Sequence, residues 1–239
     1  MPGSLEIPIE HVDTARFTAR HADRLEVCEE LQSDGWSPSC ERLSEIVRVV
    51  ATSSVEVVSL IRPRCSPDFF VSSEAVSQAR ADIEAAARAG AHGIVLGFID
   101  HLNHLDEEST GDLSSLARSF GLTISLHRAF DFDEDLDNAV RIASECGAER
   151  ILTSGASRWE SAATSLESRV ARIREGVRLS VLHGTRLGRP PVRVVACGGV
   201  RASNASHFLE ATPDLHASCR HQERFHPDLL EALLGVMQR

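Results

Sequence analysis

The chain has 239 residues, of which 42% are hydrophobic, and its formal net charge is −10 from 25 basic and 35 acidic residues. This size and composition fit one globular domain with a real core and exclude wholesale disorder, while the negative charge argues against a nucleic-acid partner. No apolar stretch approaches the roughly 20 residues of a membrane span, and residues 1–6 lack the basic and apolar regions of a signal peptide. We therefore expect a cytoplasmic protein with no membrane partner.

The sequence contains no lysine, and this absence excludes several kinds of chemistry. Schiff-base aldolases and enzymes that bind PLP through an internal aldimine need a lysine amine. A standard P-loop also needs a lysine for its phosphate contacts. We therefore predict no PLP and find no nucleotide-binding motif. The six cysteines are scattered without a CxxC pair, which excludes a zinc ribbon and a thioredoxin-type motif.

Short β-branched runs alternate along the chain with longer helical patterns. Strands are predicted at residues 5–9, 24–28, 56–62, 93–99, 123–128, 150–154, 192–197 and 215–218. Helices are predicted at 72–89, 106–119, 135–146 and 159–183, and residues 184–191 are predicted to form a surface loop. Alternating βα units of about thirty residues predict a parallel α/β sheet. Eight such units predict a closed (β/α)8 TIM barrel as a single domain over residues 1–239, because no GxGxxG follows a strand to favour an open Rossmann-like sheet.

Polar residues concentrate near the C-terminal ends of these strands, where barrel enzymes carry their active sites. The candidate catalytic residues are Glu26, Arg62, Arg64, His127, Arg128, Asp131 and His216. Residues two apart share a strand face, so Glu26 and Cys28 are expected to point into the barrel together. The same spacing places His216 with Ser218. The competing interpretation is an internal salt-bridge network, which fits Glu6 best because that residue lies early in its strand.

A Gly-Gly turn after the seventh strand predicts an anion site. Gly198 and Gly199 precede a short helix that begins near Ser203, and loops after strands 7 and 8 of barrels commonly bind phosphate through backbone N–H groups. The guanidinium groups of Arg62 and Arg64 match carboxylate or phosphate oxygens. The predicted anion-binding residues are Thr153, Ser154, Gly198, Gly199 and Ser218.

Several segments, in order and over nearly the whole chain, resemble the motifs of one known family. Residues 24–28 (RLEVC) resemble its DRIELC strand, residues 60–64 (LIRPR) its MIRPR motif, and residues 90–97 (GAHGIVLG) its GADGVVFG motif. Residues 127–131 match HRAFD, residues 150–155 resemble RVLTSG, and residues 216–218 resemble HxSAR. The chain is thus similar to the CutC family, long called copper homeostasis proteins. This resemblance implies a TIM barrel, a cytoplasmic location and a link to copper.

The first predicted strand departs from the family's pattern. That strand usually reads EVCVDS, and its cysteine position is occupied here by Pro8. The resemblance implies copper binding by cysteines of the first two strands, of which only Cys28 remains. Because Cu(I) needs at least two soft ligands, we predict that copper binding through Cys28 is weak. Cys65 and Cys219 are the alternative second ligands.

Two classes of function remain open. One is copper binding or handling, which the resemblance and Cys28 support. The other is a barrel enzyme that acts on a small anionic substrate, phosphorylated or not, through arginine, histidine and carboxylate side chains at the strand ends. Such hard donors suit an anion site better than a Cu(I) site. The expected partner is therefore a small-molecule anion or a copper ion, and homo-oligomer formation is left open.

Overall fold

Eight parallel strands pair in chain order and close into a barrel in the computed structural model, which describes residues 3–158 and 160–238. The strands are β1 (Leu5–Ile9), β2 (Arg24–Val27), β3 (Glu56–Leu60), β4 (Gly93–Leu96), β5 (Thr123–Leu126), β6 (Arg150–Thr153), β7 (Arg193–Ala196) and β8 (Leu215–His216). The last strand pairs with the first, with Leu5 opposite Leu215 and Glu6 opposite His216. The predicted TIM barrel is confirmed, although most strands end one to three residues earlier than predicted.

Helices connect the strands and cover the barrel. They are α1 (Val12–Thr18), α2 (Cys40–Val50), α3 (Ser73–Ala89), α4 (Glu107–Ser119), α5 (Leu136–Glu145), α6 (Leu166–Leu187), α7 (Ala202–Leu209) and α8 (Pro227–Val236). A short antiparallel hairpin, β9 (Arg220–His221) with β10 (Arg224–Phe225), follows β8. Ser72, Asp106 and Asp135 each accept a hydrogen bond from the first turn of the helix that follows, which fixes where those three helices start. None of the helices in the described part of the chain is long and apolar enough to cross a membrane.

The longest helix differs from its prediction at both ends. Trp159, the predicted first residue, lies outside the described residues, and a 3-10 turn at Glu160–Ala162 precedes the helix proper. The helix begins only after Ser165, whose side chain accepts a hydrogen bond from the backbone of Ser168. It continues beyond the predicted end and stops at Gly188, which adopts a left-handed φ of 63°. Half of the predicted surface loop at 184–191 is therefore helix.

The barrel interior has an apolar layer above a polar one. The apolar layer is made of buried side chains that alternate along the strands: Cys28, Val58, Leu60, Val95, Leu152, Val195 and Cys197. Below it, towards the N-terminal ends of the strands, the buried Arg24 guanidinium lies 3.1 Å from the Glu6 carboxylate and donates to the Ser125 hydroxyl at 2.9 Å. This is the internal salt-bridge network expected for Glu6, because a buried charge needs a partner.

Candidate functional site

A cavity of about 320 Å³ opens at the C-terminal ends of the strands, and we call it the mouth cavity. It is lined by eight of the predicted site residues: Glu26, Arg62, His127, Arg128, Gly198, Gly199, His216 and Ser218. Five others do not line it: Cys28, Arg64, Asp131, Thr153 and Ser154. The residue types and strand positions singled out in the sequence therefore converge on one cavity, with Arg64 and Cys28 as the clearest exceptions.

Glu26 and His216 line the floor of the mouth cavity, and Glu6 lies beside them without lining it. His216 Nδ1 lies 2.7 Å from Glu6 Oε1, and His216 Nε2 lies 3.9 Å from Glu26 Oε2. Glu6 is fully buried, and Glu26 is only 6% exposed. Glu26 makes no hydrogen bond to any described residue, so its carboxyl is held only by this long ion pair. The floor thus presents a poorly satisfied carboxyl group to the cavity.

The surroundings shift the pKa values of these three groups in different directions. Burial alone would raise the pKa of Glu6, but the hydrogen bond with His216 and the charge of Arg24 lower it to about 2. Burial raises the pKa of Glu26 to about 7, and the Glu6 charge adds to this. Burial opposes protonation of His216, yet the Glu6 hydrogen bond and the Glu26 charge raise its pKa overall. Two neighbouring carboxyl groups therefore differ strongly in acidity because only Glu6 has close cationic partners.

The same three residues could hold a metal ion. One ligand atom from each of Glu6, Glu26 and His216 lies within 4.8 Å of the others, and no further group of this kind occurs among residues 3–158 and 160–238. Carboxylate and imidazole donors suit divalent cations. No cysteine belongs to the group.

The cysteines do not fit a Cu(I) site of the kind the family resemblance implies. Cys28 packs in the apolar layer of the barrel, where its thiol lies 3.6 Å from the Ile9 carbonyl. Pro8 lines the cavity but offers no ligand atom in its side chain. Burial raises the pKa of Cys28 well above its usual range and also raises the pKa of Cys197, the thiol that does line the cavity. Neither thiol readily becomes the thiolate that binds Cu(I).

Arg62 lines the cavity, but its guanidinium is used to hold two loops. It donates to the carbonyls of Ser33 at 3.3 Å, Gly35 at 3.0 Å and Pro67 at 2.8 Å. The aromatic rings of Trp36 and Phe69 lie 4.5 and 4.7 Å from its Cζ atom. The loops after β2 and β3 are thereby joined at the rim, so the main role visible for Arg62 is positioning.

Arg64 lies outside the mouth cavity. Its side chain is 54% exposed and pairs with Glu30 at 2.8 Å. Its guanidinium nevertheless lies near that of Arg62, because the Cζ atoms of Arg62 and Arg64 are 4.5 and 5.6 Å from the centroid of the same Trp36 ring and both residues line a second pocket. The expectation that both arginines would face one anion at the barrel mouth is wrong for Arg64, because only Arg62 lines the mouth cavity.

Asp131 organises the loop after β5 from a buried position. Its carboxylate accepts hydrogen bonds from the Thr153 hydroxyl at 2.5 Å and from the backbone and hydroxyl of Ser154 at 3.0 and 2.7 Å. It also pairs with Arg128 Nε at 3.1 Å. Asp131, Thr153 and Ser154 thus form a support behind the cavity wall, and Arg128 is the member of the cluster that reaches the cavity.

His127 is held as a neutral ring in the cavity wall. Its Nδ1 accepts a hydrogen bond from the Ala129 backbone at 3.2 Å, and its ring lies 4.8 Å from that of Phe69. Burial, aided by the charge of Arg62, lowers the pKa of His127 to about 3. The imidazole therefore stays uncharged at neutral pH, and the contacts with Ala129 and Phe69 assign it a packing role.

The turn after β7 exposes backbone donors to the mouth cavity. The N–H groups of Gly198, Gly199 and Val200 make no hydrogen bond to any described residue, and all three residues line the cavity. Both glycines have left-handed φ values, 71° and 81°, and a Cβ atom at Gly198 would lie 2.8 Å from Ser154 Cβ. Successive unpaired N–H groups of this kind bind anions.

Three arginines important to the cavity were not predicted from the sequence. Arg201 and Arg220 line it, and Arg220 pairs with Glu10 at 2.5 Å. Both follow strand ends by a few residues, which is a signal that could have found them. Arg169 lies within α6 and donates to the carbonyls of Ser154, Cys197 and Gly198. Nothing in the helical pattern marks Arg169, because its partners are distant in sequence.

The fold and the cavity together define an α/β-barrel protein with a polar ligand cavity at the C-terminal ends of its strands. A family model described as the CutC family matches residues 4–221. A family protein CutC from Agrobacterium fabrum is 32% identical over 238 residues, covering 98% of this chain and 86% of the relative. Another from Vibrio parahaemolyticus is 31% identical over 209 residues, covering 87% and 77%. The chain belongs to the CutC family.

Solved structures support the barrel assignment. A protein from Streptococcus agalactiae whose name links CutC to copper homeostasis aligns with a TM-score of 0.77 at 24% identity, covering 91% of this chain and 99% of the other. 3-Hexulose-6-phosphate synthase aligns with a TM-score of 0.65 at 14% identity, covering 98% and 99%. At these identities the likeness shows the fold alone.

Proposed function

We propose that this protein is a barrel enzyme that binds a small anionic substrate in the mouth cavity and acts on it with Glu26 and His216. The observation that carries the proposal is the run of three unpaired backbone N–H groups at Gly198, Gly199 and Val200, which line the same cavity as a buried carboxyl group. A polar cavity at the C-terminal end of a barrel is where enzymes of this fold bind their substrates.

The anion-binding part of the cavity combines backbone and side-chain donors. Arg128 brings a cationic side chain to the wall, and Ser218 contributes a hydroxyl group that makes no hydrogen bond to any described residue. Backbone N–H groups add no charge but cost no side-chain entropy to hold in place. Together these groups suit the several oxygens of a phosphate or carboxylate.

We assign the groups that react with the substrate to the cavity floor. The Glu6 carboxylate is paired with Arg24 and His216, whereas the Glu26 carboxyl has only the long ion pair with His216 and can contact a substrate. A buried carboxyl without a hydrogen bond costs stability, and such groups cluster at functional sites. The absence of lysine rules out Schiff-base chemistry, so Glu26 and His216 are the groups left to act on a substrate.

Copper handling is the second candidate, and it is supported by the name carried by relatives rather than by the cysteines of this chain. The burial of Cys28 and the presence of Pro8 on β1 both weaken it. Competition against a Cu(I) chelator tests it directly, and we expect weak binding. Tight binding that disappears in Cys28→Ser would favour copper over the enzyme.

Thermal unfolding with and without 10 mM phosphate, at constant ionic strength and with EDTA present, tests the anion site. For a dissociation constant of about 1 mM, mass action predicts about 1.4 kcal/mol of stabilisation and a rise in Tm of roughly 3–5 °C. Gly199→Asp should abolish the rise because it adds a carboxylate where a new Cβ meets no atom within 4 Å. Gly199→Asn is the matched control, since both residues tolerate a left-handed φ and only one is charged. The absence of a phosphate-specific shift in the parent protein would contradict the proposal.

A further inference from the structure

We infer that Glu26 and His216 bind a divalent cation of the Mn²⁺ or Zn²⁺ class at the floor of the mouth cavity, with Glu6 orienting the imidazole. Glu26 is the first reason. Its carboxyl is 6% exposed, lines the cavity and makes no hydrogen bond to any described residue. A buried anion in that state is costly, and a bound cation would compensate it.

The geometry of His216 is the second reason. Its Nδ1 is engaged by Glu6 Oε1 at 2.7 Å, which leaves Nε2 facing Glu26 at 3.9 Å. That separation is too long for a hydrogen bond. Metal-binding histidines commonly donate a hydrogen bond from one ring nitrogen to a carboxylate, which fixes the tautomer, and use the other nitrogen as the metal ligand. The Glu6–His216 pair has this arrangement, with the remaining nitrogen directed at a second carboxylate.

The chemistry of the donors selects the ion. The group offers carboxylate oxygens and an imidazole nitrogen and contains no thiolate. Such donors suit Mn²⁺, Zn²⁺ and similar divalent ions and are poor ligands for Cu(I). Because Glu26 and His216 both line the cavity, a cation held between them would have coordination positions open to water or to oxygens of a substrate.

The charge balance links the ion to the anion site, and this step rests on the proposed function. Glu6 and Glu26 carry two negative charges when ionised, and Arg24 beside Glu6 carries one positive charge. A divalent cation would turn this net charge of −1 into +1 with a neutral His216. An anionic substrate would then be attracted to the floor as well as to the Gly198–Gly199 turn. Phosphate and the cation should therefore strengthen each other's binding.

Titration of chelator-treated protein with MnCl₂, followed by the EPR signal of free Mn²⁺, tests the inference without phosphate present. ZnCl₂ displacement of the bound Mn²⁺ provides the second ion. We expect one site per chain, at least a 100-fold loss of affinity in Glu26→Gln, and no loss in Glu223→Gln. Glu223 is the matched control because it also lines the cavity but lies in the exposed hairpin.

A second variant keeps the test decisive if Glu26→Gln does not fold. His216→Gln removes the other ligand, and circular dichroism reports whether each variant retains the barrel. Failure of the folded parent to bind Mn²⁺ or Zn²⁺ at 1 mM, or equal binding by parent and Glu26→Gln, would overturn the inference. The phosphate shift is measured in EDTA, so loss of the anion site and loss of the cation site are read out separately.

Discussion

Individual side chains at the rim carry structural tasks that their position alone would not reveal. Arg62 is the clearest case, because its buried guanidinium joins the loops after β2 and β3 through carbonyls of Ser33, Gly35 and Pro67. We expect Arg62→Ala to lower the free energy of unfolding by about 2–4 kcal/mol, since one buried and two part-buried carbonyls lose their donor. Urea denaturation measures this. Arg64→Ala, which removes an exposed ion pair with Glu30 and a longer contact with the Trp36 ring, should cost less than about 1 kcal/mol, and an equal cost for both would contradict the assignment.

A pH-dependent contribution is expected from a histidine away from the cavity. His104 Nδ1 lies 3.0 Å from the buried Asp133 carboxylate, and this hydrogen bond raises the pKa of His104 above 6.5. The charges of Asp100 and Asp135 act in the same direction. Because the folded pKa exceeds that of the unfolded chain, the interaction is fully present below pH 6.5 and is lost as the pH rises through the raised value.

The urea midpoint, measured at intervals from about pH 5.5 to 8.5, should therefore fall more steeply with pH in the parent than in His104→Gln. An NMR titration of His104 gives the direction of the pKa shift independently. Identical pH profiles for the two proteins would show that the pair does not contribute.

At the scale of elements, helix α6 supports the Gly198–Gly199 turn from behind. Arg169 donates to the carbonyls of Ser154 at 2.7 Å, Cys197 at 3.0 Å and Gly198 at 2.6 Å. We expect Arg169→Leu to cost about 2–3 kcal/mol of stability and to weaken the phosphate-dependent rise in Tm, because the turn loses its support. Arg174→Leu on the exposed face of the same helix should change neither. If Arg169→Leu is destabilised but keeps the parent's phosphate-dependent rise in Tm, then Arg169 does not contribute to phosphate binding.

A capping residue made several helix starts predictable, although no bounds were predicted for α2, which Ser39 caps, and some short elements left no pattern. The predicted start of α3 differs from the observed one by a single residue because Ser72 is its cap. Helix α1 has seven residues and no side-chain cap, and the strands of the β9–β10 hairpin have two residues each, so neither produces a readable pattern. The four predicted helices and eight predicted strands were enough to predict the barrel.

The candidate site was predictable to the extent that it depends on strand alternation. Polar residues at every second position placed Glu26 and His216 in the barrel, and both line the cavity. The inward position of Cys28 also followed from alternation, but its exclusion from the cavity lining did not. That Arg62 lines the cavity and Arg64 does not depends on contacts with residues 29 and 34 positions away in the sequence, which no local pattern contains.

At the scale of the whole molecule, the barrel is closed by a buried cluster between its first and last strands. Asp214 accepts hydrogen bonds from the backbone and hydroxyl of Ser4 at 2.9 and 2.7 Å and from Arg193 Nε at 2.9 Å. Arg150 donates to the same hydroxyl at 2.8 Å. We expect Asp214→Ala to cost about 3–5 kcal/mol, because the buried Arg150 and the part-buried Arg193 lose their shared acceptor network.

Hydrogen exchange should locate that loss. Amides of β1 and β8 are expected to exchange faster in Asp214→Ala than those of β4 and β5 on the far side of the barrel. Asp112→Ala is the control, since Asp112 is exposed and, among the described residues, forms an ion pair only with Arg80. A uniform increase in exchange over all strands would show that the cluster does not act on closure.

The pairing of β1 with β8 also bears on how the protein is made. Glu6 and His216 meet across this closure although they are 210 positions apart in the sequence. During translation, the residues of β1 and β2, including Glu6 and Glu26, are synthesised long before His216 on β8. The floor can be assembled only after the eighth strand has left the ribosome. Products terminated before β8 would therefore keep Glu6 and Glu26 but lack His216, whereas a circular permutant that joins the two ends covalently would keep all three.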